Sequence, residues 1–218
     1  MSRVGKGYVR DELPLVTISR QAMAGASEIA QLVAERLNGR LTAKDRCPWT
    51  VFDRNLVERV LEDHELPKTL DRFMPEDASA FSPGSAVEEM LGLHPSTWTL
   101  AQHTTDTIVR LARLGNVILI GRGGTVITSR FRKAVHIRLV APGQARIRRA
   151  ELVYHLTPRE AALFVREKDA ARYRYVKRHF HVAIDDPLLY HATINTGLTG
   201  YEGAARLIVE AVLAQEAR

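Results

Sequence analysis

Between Arg20 and Ser27 the chain reads RQAMAGAS, which is half of a phosphate-binding loop. A Walker loop, G-x-x-x-x-G-K-[ST], needs glycines so that backbone N–H groups can wrap phosphates, a lysine that reaches the outer phosphates and a hydroxyl for magnesium. Gly25 and Ser27 fit, whereas Arg20 stands at the first glycine and Ala26 at the lysine. A plain small-residue turn between a strand and a helix would use the same residues, so the loop alone does not choose between the two explanations. If it binds phosphate, a side chain at Gly25 is expected to block the anion's approach without unfolding the chain.

Three further places carry residues that could act on an anion. Asp53 follows the apolar run Trp49–Phe52, where it can cap a helix bearing Leu56, Val57, Val60 and Leu61 or present a carboxylate at a strand's end. Arg122 lies in Gly121-Arg122-Gly123-Gly124, directly after the apolar run 116–120, at the carboxyl end of an expected central strand. GRGG lacks the G-x-G-x-x-G spacing of a dinucleotide fingerprint. Arg166, Asp169 and Arg172 recur at three-residue steps, a spacing expected to line them along one helical face with Asp169 holding both guanidinium groups. Ordinary surface ion pairs of little energetic weight would show the same spacing.

The elements that must position these groups follow from periodicity. Leu15–Ile18 is a buried strand, and Ile29, Leu32, Val33 and Leu37 form one face of the helix after the loop. Trp49–Phe52 is a short strand, with a helix expected from Asp53. The stretch from His64 to Ser85 is irregular, and a short helix is expected at 86–91. Ser96 can cap a helix that runs to Leu114 and ends at Gly115. Asn116–Ile120 and Ala134–Val140 are strands, the first followed by a short helix at Thr125–Ser129 and the second by a helix from Pro142 to His155. Thr157-Pro158-Arg159-Glu160 is a capping box that opens a helix to Phe180. Ala192–Thr196 is a last strand, then Gly197–Gly200 leads into a helix from Tyr201 to Ala214. Alternating strands and helices predict an α/β fold with a parallel sheet and ligands at the carboxyl ends of its strands.

Charge and composition narrow the partners. Residues 130–180 hold fourteen Lys or Arg against four acids, while the whole chain of 218 residues carries a formal charge of +6. Such a cluster suits nucleotide phosphates or a nucleic-acid backbone, although a solvated helix face accounts for some of it. An RNA-binding module is the weaker alternative, because aromatic content is 6% and no RNP-like motif is present. No stretch of eighteen apolar residues and no leader is read in the sequence, so a cytoplasmic chain with no membrane partner is expected. The single Cys47 cannot form an internal disulfide, and the eight histidines show no metal-ligand spacing. Self-association is left open.

Taken in order, ISRQAMAGASEIAQLVAERL, VFDRNLVERVL, VILIGRGG, HIRLVAPGQARIRR, REKDAARYR and DDPLLYHATINT resemble the cytidylate-kinase-like family of P-loop nucleoside monophosphate kinases. The similarity runs from Leu15 to about Leu213. It implies a P-loop NTPase-type parallel sheet flanked by helices, with helical lid and acceptor-binding segments. A flexible arm, 1–14, would precede a single domain, 15–218, whose acceptor side is 53–114 and whose lid is 157–186. The activity implied is phosphoryl transfer from ATP, with Mg²⁺, to a nucleoside monophosphate of the CMP or dCMP kind; a nucleotide-binding protein with a degenerate loop and no turnover is the alternative. By the same resemblance Ser19, Arg20, Gly25, Ala26 and Ser27 would hold the donor's phosphates, with Ser27 also a metal ligand. Asp53, Arg54 and Arg122 would face the acceptor. Arg166, Asp169 and Arg172 would be the catalytic lid residues, and Asn195 and Thr196 would lie near the donor's base. Cytidylate kinases carry an Asp after the Gly-Arg pair, where this chain has Gly123. The loop also lacks its lysine, so the positive charge would come from Mg²⁺, Arg20, Arg122 and the lid.

Overall fold

The computed structural model describes residues 13–42, 47–53 and 97–217. Arg54, the helix expected after Asp53, the helix at 86–91 and most of the arm and of the acceptor-side region lie outside them. Five strands form one parallel sheet in the order β2-β3-β1-β4-β5: β1 Leu15–Arg20, β2 Thr50–Phe52, β3 Val117–Ile120, β4 Ala134–Val140 and β5 Ala192–Asn195. The sheet is set by β1, which pairs Leu15 with Val117 on one side and with Ala134 on the other.

A central parallel strand must be apolar on both faces, because helices cover both. Leu15, Val16 and Ile18 are fully buried, and alternation sends them to opposite sides. Val16 and Ile18 pack with Ile29 and Val33 of α1 (Ala26–Asn38) and with Ile208 and Val212 of the last helix. Leu15 packs with Ile108 and Leu111 of α2 (Thr97–Leu114). The polar member of the strand, Thr17, is satisfied on that second face: its Oγ1 lies 3.0 Å from Thr125 Oγ1 and 2.8 Å from His136 Nδ1. Burial, with His191 nearby, lowers the His136 pKa to about 4, so the ring is neutral at pH 7.

The remaining helices are α3 (Gly124–Ile127), α4 (Gly143–Tyr154), α5 (Pro158–Phe180) and α6 (Thr196–Glu216). The capping box forms, with Thr157 accepting from the Glu160 N–H and Pro158 at the first helical position. Elsewhere local chemistry moves the expected boundaries. Pro142 is the N-cap of α4 with ψ 137°, outside its first turn. The side chain of Asn195 accepts from Gly197 N at 3.1 Å, which starts α6 at Thr196 and shortens β5; the expected Gly197–Gly200 break survives only as a kink at Gly200, φ 63° and ψ 175°. The last two residues of the expected arm are tied down, since Pro14 O accepts from Asn116 N at 2.7 Å and Leu13 packs on Gly115. No helix among the described residues is long and apolar enough to cross a membrane.

Candidate phosphate-binding cleft

The carboxyl ends of β1, β2 and β3 lie side by side in this register, so Arg20, Asp53 and Arg122 converge although they are far apart in sequence. With the loop after β1 and the α4–α5 hairpin they enclose a cleft of about 490 Å³. Cations dominate its lining: Arg20, Arg122, Arg149, Lys168 and Arg172 stand against Glu28 and Asp53. Low-dielectric walls lined by one sign of charge concentrate ions of the other sign.

The loop is pinned at several points. Gln21 N donates to Leu139 O at 2.9 Å, Gln21 Oε1 accepts from Ala141 N at 3.1 Å, and Thr196 Oγ1 donates to Ala24 O at 3.1 Å. Gly25, at φ 85°, is the N-cap of α1, and no side chain caps that end. Helix starts leave several N–H groups without intrahelical partners, and the helix dipole adds partial positive charge there, so this end opening on a cationic cleft is suited to phosphate. Gly25 is also required by packing, because a Cβ there would lie 2.4 Å from Tyr201 Cζ.

Ser27 Oγ donates to Asp53 Oδ2 at 2.5 Å. A hydroxyl and a carboxylate at the cleft's edge are hard oxygen donors, and Mg²⁺ takes one or two such protein ligands while keeping waters and phosphate oxygens for the rest. The pair therefore fits that ion. Among the described residues no cluster of three or more His, Cys, Asp or Glu could hold a metal by itself.

Not every expected residue reaches the cleft. Arg20, Gly25, Ala26, Ser27, Asp53, Arg122 and Arg172 line it; Ser19, Arg166, Asp169, Asn195 and Thr196 do not. Ser19 points to the far side of β1, where its Oγ accepts from Arg138 Nη1 at 2.9 Å and from the Tyr190 hydroxyl at 3.2 Å. Asn195 and Thr196 serve the backbone, one capping α6 and the other holding the loop at Ala24. The expected Arg166–Asp169–Arg172 ladder forms only in part: Asp169 pairs with Arg172 at 3.8 Å, but its oxygens also take Arg146 Nη1 and Ala22 N, each at 2.6 Å, and Arg166 is exposed. Both oxygens of Asp169 are committed to partners outside α5, although each arginine lies three residues, about 60°, from it. Six residues at about 100° each carry Arg166 and Arg172 to directions about 120° apart, whereas Lys168 and Arg172, four apart, differ by about 40°. The pair that shares the cleft wall is thus Lys168 and Arg172, and an i,i+4 reading of α5 would have found it. Arg149 was also missed; it pairs with Glu28, and its guanidinium carbon lies 5.1 Å above the Tyr201 ring.

A family model described as the cytidylate kinase-like family matches residues 15–198. The chain belongs to this family. No curated protein matches the sequence significantly. Among solved structures, an uncharacterized protein from Eubacterium ventriosum ATCC 27560 superposes with a TM-score of 0.67 at 14% identity, covering 92% of this chain and 99% of that one. Shikimate kinase from Bacteroides thetaiotaomicron gives 0.52 at 12%, covering 92% and 98%, and TT1252 from Thermus thermophilus gives 0.50 at 18%, covering 94% and 98%. At such identities the likeness concerns the fold, which is that of P-loop kinases: a five-stranded parallel sheet flanked by helices.

Within this family frame, position 123 is informative. Gly123 has φ 72°, and a Cβ there would lie 2.1 Å from Phe180 Cε2. The space beside Gly123 is filled by the Phe180 ring from the end of α5.

Proposed function

We propose that this cytidylate kinase-like protein is a Mg²⁺-dependent phosphotransferase that takes the terminal phosphoryl group of ATP and passes it to a nucleoside monophosphate. The observation that carries the reading is the uncapped start of α1, with Ser27 and Asp53 in contact at its side, opening into a cleft lined by five cations. In this reading the backbone of Met23–Ser27 wraps the donor's phosphates, and Ser27 and Asp53 hold the ion. Bound Mg²⁺ would neutralise charge on the phosphate oxygens. Phosphoryl transfer asks mainly for alignment and charge stabilisation, so lysine need not come from the loop. Lys168 and Arg172 stand in for the side chain that Ala26 lacks, Arg20 and Arg149 flank the loop, and Arg122 faces the acceptor's phosphate from the end of β3. Asp53 accepts a hydrogen bond from Ser27, which places its oxygens beside the hydroxyl that would share the ion.

The acceptor's base is not read by a carboxylate at position 123, which argues against selection of CMP or dCMP through that residue. A second reading, nucleotide binding without turnover, is favoured by Ala26 and Arg20, which stand where a Walker loop has its lysine and first glycine. A coupled phosphotransfer assay with ATP and Mg²⁺ against a panel of monophosphates separates the two: turnover with at least one monophosphate supports the kinase, and ATP binding without turnover supports the second reading.

A further inference from the structure

We propose that Asp169 and Arg146 are positioning residues that weld the α4–α5 hairpin to the donor loop, so that loop and hairpin form one preset body in place of a loop beneath a swinging lid. The proposal rests on the donor-site reading above. Asp169 Oδ1 accepts from Ala22 N at 2.6 Å, and its Oδ2 accepts from Arg146 Nη1 at 2.6 Å. The same Arg146 nitrogen donates to Ala22 O at 3.2 Å, while Arg146 Nε donates to Ala141 O at 3.1 Å. The two peptide groups flanking the Ala22 Cα are therefore held by one ion pair, which fixes the path of the loop just before it turns toward Gly25. Neither side chain lines the cleft, so both act through the loop.

An apolar contact independently fastens the same junction. Met23 adopts φ 63°, a left-handed conformation that costs a side-chain-bearing residue free energy. Met23, like Ile147, Leu156 and Phe164, packs against buried Ala22, Ala150, Ala161 and Val165, a cluster shared by loop and hairpin. Glycine would relieve the backbone but give up the contact. Lys168 precedes Asp169 and Arg172 follows it by three residues on α5, so the clasp at Ala22 also sets how far both cations stand from the loop.

The test uses the full chain labelled with ¹⁵N, as wild type, Asp169→Asn, Arg146→Ala and the double variant. ATP affinity is measured by calorimetry and amide exchange at Ala22 by NMR. Charge-assisted hydrogen bonds of this kind predict about a tenfold loss of ATP affinity in each single variant, little further loss in the double variant, and faster exchange at Ala22 in all three. ATP affinity within twofold of wild type in a folded Asp169→Asn, or losses that multiply in the double variant, would overturn the proposal. A residue that merely supported the fold would lower stability without moving ATP affinity or Ala22 exchange together. Should the wild type bind no ATP, the donor reading fails and the positioning role with it, while Ala22 exchange still decides whether the weld exists.

Discussion

Gly25→Ala adds one methyl group at the most constrained point of the loop, and the cost can be worked from two terms. The backbone at φ 85° is left-handed, which costs an L-residue roughly 1–2 kcal/mol. The new Cβ would lie 2.4, 2.5 and 2.8 Å from Cζ, Cε1 and the hydroxyl oxygen of Tyr201, so the ring must retreat by about 1 Å to reach van der Waals distance. Overpacking of that kind costs typically about 1–3 kcal/mol. The sum, roughly 2–5 kcal/mol, is a large share of the ~5–15 kcal/mol that holds a domain folded. The sequence-based expectation that a side chain at Gly25 would spare the fold is therefore replaced: the substitution strikes binding and stability together. Urea denaturation of Gly25→Ala, Tyr201→Ala and the double variant separates the two terms. Removing the ring should return the overpacking part, about 1–3 kcal/mol of coupling, and leave the backbone part. A Gly25→Ala protein within about 0.5 kcal/mol of wild type would refute the argument, and so would a loss identical in both backgrounds.

Arg172→Ala should lower kcat by roughly 10³-fold with a smaller effect on KM, as expected of a cation that meets the transferring group, whereas exposed Arg166→Ala should stay within about twofold; equal losses in steady-state kinetics would restore the three-step ladder. Asp53→Asn should weaken ATP binding about tenfold in Mg²⁺ and leave it unchanged in EDTA, and a variant that still responds to Mg²⁺ like wild type would remove Asp53 from the ion site. His136, with a folded pKa of about 4 against 6.5, stays neutral where the unfolded chain takes up a proton. Its contribution to stability is complete above pH 6.5 and is lost as pH falls toward 4, about 3 kcal/mol in all and about 2 kcal/mol by pH 5. Urea midpoints at pH 7 and pH 5 should show a smaller difference in His136→Gln than in wild type, and equal differences would mean the ring titrates normally.

Much of this was legible from local signals. The buried runs 15–18, 117–120 and 134–140 announced strands, and the capping box at Thr157 marked the start of α5. Gly25 and Ser27 were singled out by the Walker spacing, and Asp53 and Arg122 by their places at strand ends, where parallel sheets put ligand contacts; all four line the cleft. What stayed hidden depends on direction and on distance along the chain. Ser19 faces away from the cleft because side chains alternate along β1, and its partners Arg138 and Tyr190 are more than a hundred residues away. Asp169 was recognised as an anchor, but its partners Ala22 and Arg146 come from a loop and a neighbouring helix that no spacing rule within α5 can name. The Tyr201 ring against Gly25 and the Phe180 ring against Gly123 are likewise contacts across the fold, which periodicity cannot supply.

In the proposed reading the start of α1 and the Ser27–Asp53 pair hold the phosphates of a nucleotide together with Mg²⁺. Calorimetric titration of ATP into the wild-type chain, with Mg²⁺ and then with EDTA, tests it most directly. One site per chain is expected, with binding about tenfold tighter in Mg²⁺. No detectable heat in either condition, or an affinity indifferent to the ion, would contradict it.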